Sequence, residues 1–186
     1  MRVFIFLFSM ANSIIGQQYE SQPYEIIKSL DDIEVRYYPP AMMAKTKASS
    51  GNPFSILFRY ISGNNKKGEK IEMTTPVYMY PEDNTSAMEF VLPKKYMEQE
   101  APAPSQDNVE IYQSDPGYFA AVRYGGYSNA TKVKTHTERL MKEIEKYNLK
   151  TISEPEVLSY DSPYKVMNRR NEIIVEISYA DAEWLH

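Results

Sequence analysis

The sequence predicts an α+β domain in which two similar halves pool their strands in one curved sheet or barrel and lay two helices on it. Three observations predict this. Short segments of strand-like alternation, separated by turn residues, run along most of the chain. Two stretches carry helical apolar spacing instead. The same order of elements occurs twice, on either side of the proline-rich stretch Glu100-Ala101-Pro102-Ala103-Pro104-Ser105.

In the first half, Tyr24 to Leu30 reads as a strand and Asp31-Asp32 as a turn. Ile33 to Tyr38 alternates apolar and polar, as a half-buried strand does, and Pro39-Pro40 ends it because proline cannot donate to a ladder. Ala41 to Ala48 resumes an extended pattern. Ser49 to Asn52 is a loop with capping residues, and Pro53 suits a first helical turn. Phe54, Leu57, Phe58 and Ile61 follow at i, i+3, i+4 and i+7, which predicts a helix over 53–62. Gly63-Asn64-Asn65 stops it. Beyond the charged turn Lys66 to Lys70, Ile71 to Tyr80 and Glu89 to Leu92 read as strands rich in β-branched and aromatic residues. The prolines of the 100–105 stretch keep it extended, as a linker.

The second half repeats the plan. Val109 to Tyr112 and Tyr118 to Tyr124 are strands around the turn Asp115-Pro116-Gly117, and Gly125-Gly126 closes the pair. Val133, His136, Leu140, Ile144 and Tyr147 hold helical spacing, which predicts a helix over 129–147. Glu156 to Tyr160 and Glu172 to Ile177 complete the strands. Phe119 to Tyr124 takes the place of Met42 to Ala48, and Glu110-Ile111-Tyr112 that of Glu34 to Tyr37. The repeat halves cover about 24–99 and 106–179. The gap between the two helices is the expected ligand cleft.

Composition narrows the function. A chain of 186 residues with 42% hydrophobic, 25% charged and 13% aromatic residues is neither disordered nor fibrous. A net charge of -4 leaves few cations to neutralise phosphates, so nucleic acid is not an expected partner. The absence of cysteine removes disulfides, thiolate zinc sites, iron–sulfur clusters and cysteine nucleophiles. With His136 and His186 the only histidines, a multi-histidine metal site is not expected. The phosphate-loop, dinucleotide, zinc-protease and nucleophile-elbow motifs are absent.

Met1-Arg2 precedes the apolar run Val3 to Phe8 and the small residues before Gln17-Gln18. That order reads as a secretory signal peptide over 1–16, with the mature domain at 17–186 and an exported, periplasmic or secreted location. The run is far shorter than the roughly 20 residues of a membrane span, so stable membrane insertion is not expected.

Specific residues then carry a resemblance. Lys70-Ile71-Glu72-Met73-Thr74-Thr75-Pro76-Val77 resembles the K-I-x-M-T-x-P-V signature of the SOUL haem-binding protein family. Tyr60 to Asn65, Ala101 to Ser105, Gly125-Gly126-Tyr127 and Arg169 to Ile173 resemble further family segments, in the family's order. The resemblance implies a distorted eight-stranded barrel of two repeats with two helices. It also implies a non-enzymatic role: non-covalent binding of b-type haem or another tetrapyrrole in a shallow apolar cleft.

Candidate ligand residues follow from that implication. Some family members place a histidine between an arginine and a tyrosine as an iron ligand, where this chain has Arg36-Tyr37-Tyr38. A phenolate can ligate ferric iron, so Tyr37 is the first candidate donor, and otherwise it is a strand aromatic. His136, on the apolar stripe of the second helix, is the second candidate, and otherwise a packed core residue. Phe54, Leu57, Phe58 and Ile61 are candidate cleft wall or helix core, with Met42, Met43 and Met73 as adaptable additions. Arg59 and Arg169 are candidate propionate partners or solvated charges. Two other readings compete: a small-molecule hydrolase using a buried Glu72 or Glu89, and a partner-binding module that has lost its ligand.

Overall fold

The computed structural model describes residues 19–48, 52–82 and 85–178. The 1–16 segment, His186 and residues 49–51 of the expected loop therefore lie outside the described residues. Eleven strands and two α-helices follow in order: β1 (Glu20–Ser21), β2 (Glu25–Leu30), β3 (Ile33–Tyr38), β4 (Met42–Ala48), α1 (Pro53–Ile61), β5 (Thr74–Thr75), β6 (Val77–Glu82), β7 (Thr85–Val91), β8 (Glu110–Gln113), β9 (Gly117–Gly125), α2 (Ala130–Lys146), β10 (Glu156–Ser159) and β11 (Arg170–Ile177). A short 3₁₀ turn covers Lys94–Met97.

Both helices begin as their sequences direct. The Asn52 side chain accepts from the Phe54 N–H at 3.0 Å, with Pro53 next to it at the helix start. Asn129 caps α2 by accepting from Lys132 N–H at 2.9 Å. Gly63, with φ of 109°, turns the chain after α1 in a conformation that favours glycine.

Nine strands form one antiparallel sheet in the order β2-β3-β9-β11-β10-β6-β7-β4-β8. That order is a strand exchange between repeats. β3 leaves the first half to pair with β9 of the second, and β8 leaves the second to pair with β4 of the first. A pseudo-twofold axis between β6 and β10 therefore relates β3-β9-β11-β10 to β8-β4-β7-β6. These eight strands are the repeats, and β2 is a ninth, added at one edge.

One expected strand breaks in two. Ile71 to Tyr80 is not continuous, because the cis Thr75–Pro76 bond separates β5 from β6. β5 instead pairs in parallel with β1, a strand that the sequence did not announce.

Val157 and Met79 face each other across the β10–β6 pair, and they belong to the cores beneath α2 and α1 respectively. Both helices thus share one face of the sheet, α1 on β4 and β7, α2 on β9 and β11. The other face is the inside of the curl, filled by Met43, Tyr78, Val91, Ala121, Leu158 and Ile174.

Candidate functional site

The strands bring two polar clusters to the inside of the curl, at positions the pseudo-twofold exchanges. Tyr78 opposes Glu89 in the β6–β7 pair, and Leu158 opposes Glu172 in the β10–β11 pair. Since Tyr78 also opposes Leu158, Glu89 and Glu172 are equivalent positions. Two residues further on, Tyr80 and Tyr160 are equivalent, and each donates its hydroxyl to the glutamate of its own half.

The two carboxylates differ in their company. Glu172 is fully buried. Arg36 donates to it through both terminal nitrogens, at 2.7 and 3.1 Å, and Arg170 Nε donates at 3.0 Å. Arg36 also pairs with Glu34 and lies 4.3 Å from the centre of the Tyr24 ring. Burial acts to raise the Glu172 carboxyl, but the hydrogen bonds and charges of Arg36 and Arg170 together outweigh it and hold it below the ordinary value. Arg36 is raised in turn, with Glu172 outweighing its own burial. A polar cavity of about 120 Å³ opens beside this network, with Asp32 and Arg123 on its lining.

Glu89 is held mainly by hydroxyls. Tyr80 and Tyr112 donate to its two oxygens, the latter at 2.5 Å, and Lys45 Nζ stands 3.7 Å away. Burial, then the bond to Glu89, raises both phenols. Both carboxylate oxygens are therefore engaged. Glu72, the other candidate general base, is exposed and outside any strand.

The candidate ligand residues separate into distinct places. Met43 is buried inside the curl, on the opposite side of the sheet from α1, so it does not share a wall with that helix. Leu57 and Ile61 are packed in the core beneath α1 at 0% and 3% exposure and present no surface to a ligand. Met73 is half-buried against the same core. Phe54 and Phe58 differ: their rings stack 5.7 Å apart at 15°, and Phe58 is 48% exposed. Phe54 also meets Phe90 edge-on at 5.3 Å, which fixes the pair to the core. Arg59 is exposed on the same helix.

Arg169 lies elsewhere. Its guanidinium donates to the backbone carbonyls of Ser162 and Lys165, each at 2.7 Å, and covers the Tyr127 ring at 4.6 Å. It braces the 161–169 loop, while Arg170 is the residue that reaches Glu172. Tyr37 is half-buried on the helix-bearing face and packs against Tyr118 at 5.1 Å. His136 stacks on Tyr124 at 4.5 Å and 13°, and its Nδ1 is buried without a partner among the described residues. Burial, then the charges of Arg139 and Lys132, push this imidazole below 6.5. Tyr37 and His136 thus belong to the α2 half, whereas the open aromatic pair belongs to α1. No group of three His, Asp or Glu suited to a metal ion occurs among the described residues.

The sequence reading missed the polar residues that shape the loops. Asn65 is buried and donates to the Tyr60 and Glu69 carbonyls at 3.1 and 2.7 Å, while its own oxygen accepts from Lys67 and Glu69 N–H. Tyr60 donates to the Pro102 carbonyl at 2.8 Å, tying α1 to the linker.

Comparison with known proteins places this geometry. The sequence profile described as SOUL heme-binding protein matches residues 19–176. "Heme-binding protein 1" of Xenopus tropicalis is 26% identical over 180 residues, covering 87% of this chain and 94% of that one. "Heme-binding protein 2" of Homo sapiens is 28% identical over 156 residues, covering 75% of each. Among solved structures, the EcmrR C-terminal domain shares the fold at a TM-score of 0.56 and 11% identity, covering 83% of this chain and 98% of that one. Motifs in order, the repeated half-barrel and the profile match over most of the chain agree, and the chain belongs to the SOUL haem-binding protein family.

Proposed function

We propose that this chain binds haem or another tetrapyrrole non-covalently, as a carrier, buffer or scavenger rather than as an enzyme. The observation that carries the reading is the Phe54–Phe58 pair on a chain of this family: a stacked aromatic platform fixed at Phe90 and left open at Phe58. A flat macrocycle can lay one face on such a platform. Arg59, exposed on the same helix, is the nearest chain neighbour able to meet a propionate.

Affinity on this reading comes from burying the macrocycle. A porphyrin offers several hundred Å² of apolar surface at about 25 cal/mol per Å². Association entropy offsets part of that gain, which leaves micromolar or tighter binding. Tyr37 and His136 belong to the other half of the sheet, so this reading assigns neither a bond to the iron. Haem held this way is b-type, since the chain has no cysteine thiol to form a thioether link. The hydrolase reading loses Glu72 to solvent and finds Glu89 already holding two phenols.

Export through the 1–16 segment remains part of the proposal, supported by its order of one cation, an apolar run and small residues. Intact-mass measurement on protein from the native host tests it: a chain starting near Gln17 is expected, and one retaining Met1 to Gly16 contradicts it. Hemin titration followed by visible absorbance tests the binding. A saturable, one-to-one Soret shift is expected, and a linear, unsaturable response contradicts it.

A further inference from the structure

A second cavity, of about 330 Å³, lies at the rim where β1, the Pro39–Met42 corner and the 3₁₀ turn meet. Pro23, Pro40, Met42, Val91, Leu92 and Met97 line it, so its walls are almost wholly apolar. Of the predicted ligand residues, only Met42 is among its lining residues. Phe54 and Phe58 do not line it, although its Met42 and Leu92 belong to the same core as Phe54.

Two polar features define what would fit. Gln22 is 93% buried in the lining, taking its 7% exposure as the remainder, and its side-chain oxygen accepts from Tyr78 at 2.6 Å. Its amide nitrogen has no acceptor among the described residues. That nitrogen is not one of the fully buried atoms without a partner, so it is an accessible donor that a ligand oxygen can accept from. At the mouth, the Glu20 side chain accepts from Lys94 N–H at 2.7 Å. One acid and one base there select for neither sign of charge. Thr74, also on the lining, spends its hydroxyl on the Val91 carbonyl.

We propose that this cavity binds a small neutral amphiphile: an apolar chain ending in one hydrogen-bond acceptor, such as a carbonyl oxygen, that meets the Gln22 amide. At about 330 Å³ the cavity stands at the lower end of small-molecule pockets. Met42 and Met97 give the wall adaptability, which favours a class of chains over one compound.

The test is a nuclear magnetic resonance titration of the chain with three probes of matched size: 2-octanone, propylbenzene and octanoate. The expected result is saturable shifts of the Met42 and Met97 methyls with 2-octanone, together with the Gln22 side-chain amide. Propylbenzene, lacking the acceptor, binds about fivefold more weakly, the worth of one net hydrogen bond. Octanoate, carrying charge, is weaker still. Gln22→Leu brings 2-octanone down to the propylbenzene level. If that variant fails to fold, the wild-type ranking of the three probes decides alone. Equal affinity for 2-octanone and propylbenzene, tighter binding of octanoate, or no saturable shift overturns the proposal. Hemin is added last and should leave the 2-octanone shifts in place. Their displacement by hemin would make the cavity part of the tetrapyrrole site and overturn its assignment as a separate one.

Discussion

The inside of the curl and the outer edge of α1 are built on opposite principles. Inside, Glu172 is fully buried yet has two arginines and a tyrosine for partners. At the edge, Phe58 asks for no hydrogen bond and is still 48% exposed. The polar groups are satisfied and closed, while the apolar pair is unsatisfied and open. A charged cluster draws attention as a site, but one whose members already pair with each other has little left to offer a ligand. Uncovered aromatic surface has everything left to offer. Substitutions in the two regions should therefore separate stability from binding.

The largest effect is expected inside. Glu172→Leu leaves Arg36 and Arg170 without their shared carboxylate, and loss of one member of a buried ion pair costs about 3–5 kcal/mol. Urea unfolding should show that loss, while any folded fraction still binds hemin. Second comes an acid effect with a definite sign. The folded Glu172 carboxyl lies below its ordinary value of 4.5, so its contribution is present above that pH and is lost as pH falls through the folded value. Glu172→Gln should thus be less stable at neutral pH, with the deficit shrinking below about pH 4. A deficit constant down to pH 2 would place the stabilisation elsewhere.

At the aromatic edge the order reverses. Phe58→Ala should leave stability within about 0.5 kcal/mol, as exposed substitutions do. It should weaken tetrapyrrole binding by about 1 kcal/mol, roughly fivefold. The smallest effects are expected at the candidate iron donors. Tyr37→Phe and His136→Ala alter the α2 half and not the α1 edge, so each should leave both the hemin spectrum and the affinity unchanged, as read in one absorbance titration.

Much of this architecture was legible in the sequence, and the reasons are local. Both helices announce themselves through Asn caps and i, i+3, i+4 spacing, which the structure follows to within one residue at each end. The repeat was visible because β4 and β9 keep equivalent places around their helices. The exchange of β3 and β8 was not visible, since alternation marks a strand's faces but not its neighbours. The expected wall of Met42, Met43 and Met73 beside α1 divides for a related reason. Met42 and Met43 are adjacent, so the pleat sends them to opposite sides, and only Met42 joins the α1 core. The gap between the helices, expected as the cleft, has β6 and β10 as its floor. The buried glutamates were hard to rank because Glu72 and Glu89 look alike in sequence. Only pairing with Tyr78 and Lys45 turns Glu89 inward.

The most direct measurement is a parallel fluorescence-quenching titration of the wild-type chain and Phe58→Ala with hemin and with iron-free protoporphyrin. If the macrocycle is held by its apolar face on the α1 edge, the two ligands bind wild type within about tenfold, or 1.4 kcal/mol, and Phe58→Ala weakens both alike. Protoporphyrin binding lost altogether, or an unchanged affinity in Phe58→Ala, would show that the iron bond or another surface holds the ligand and would contradict the account.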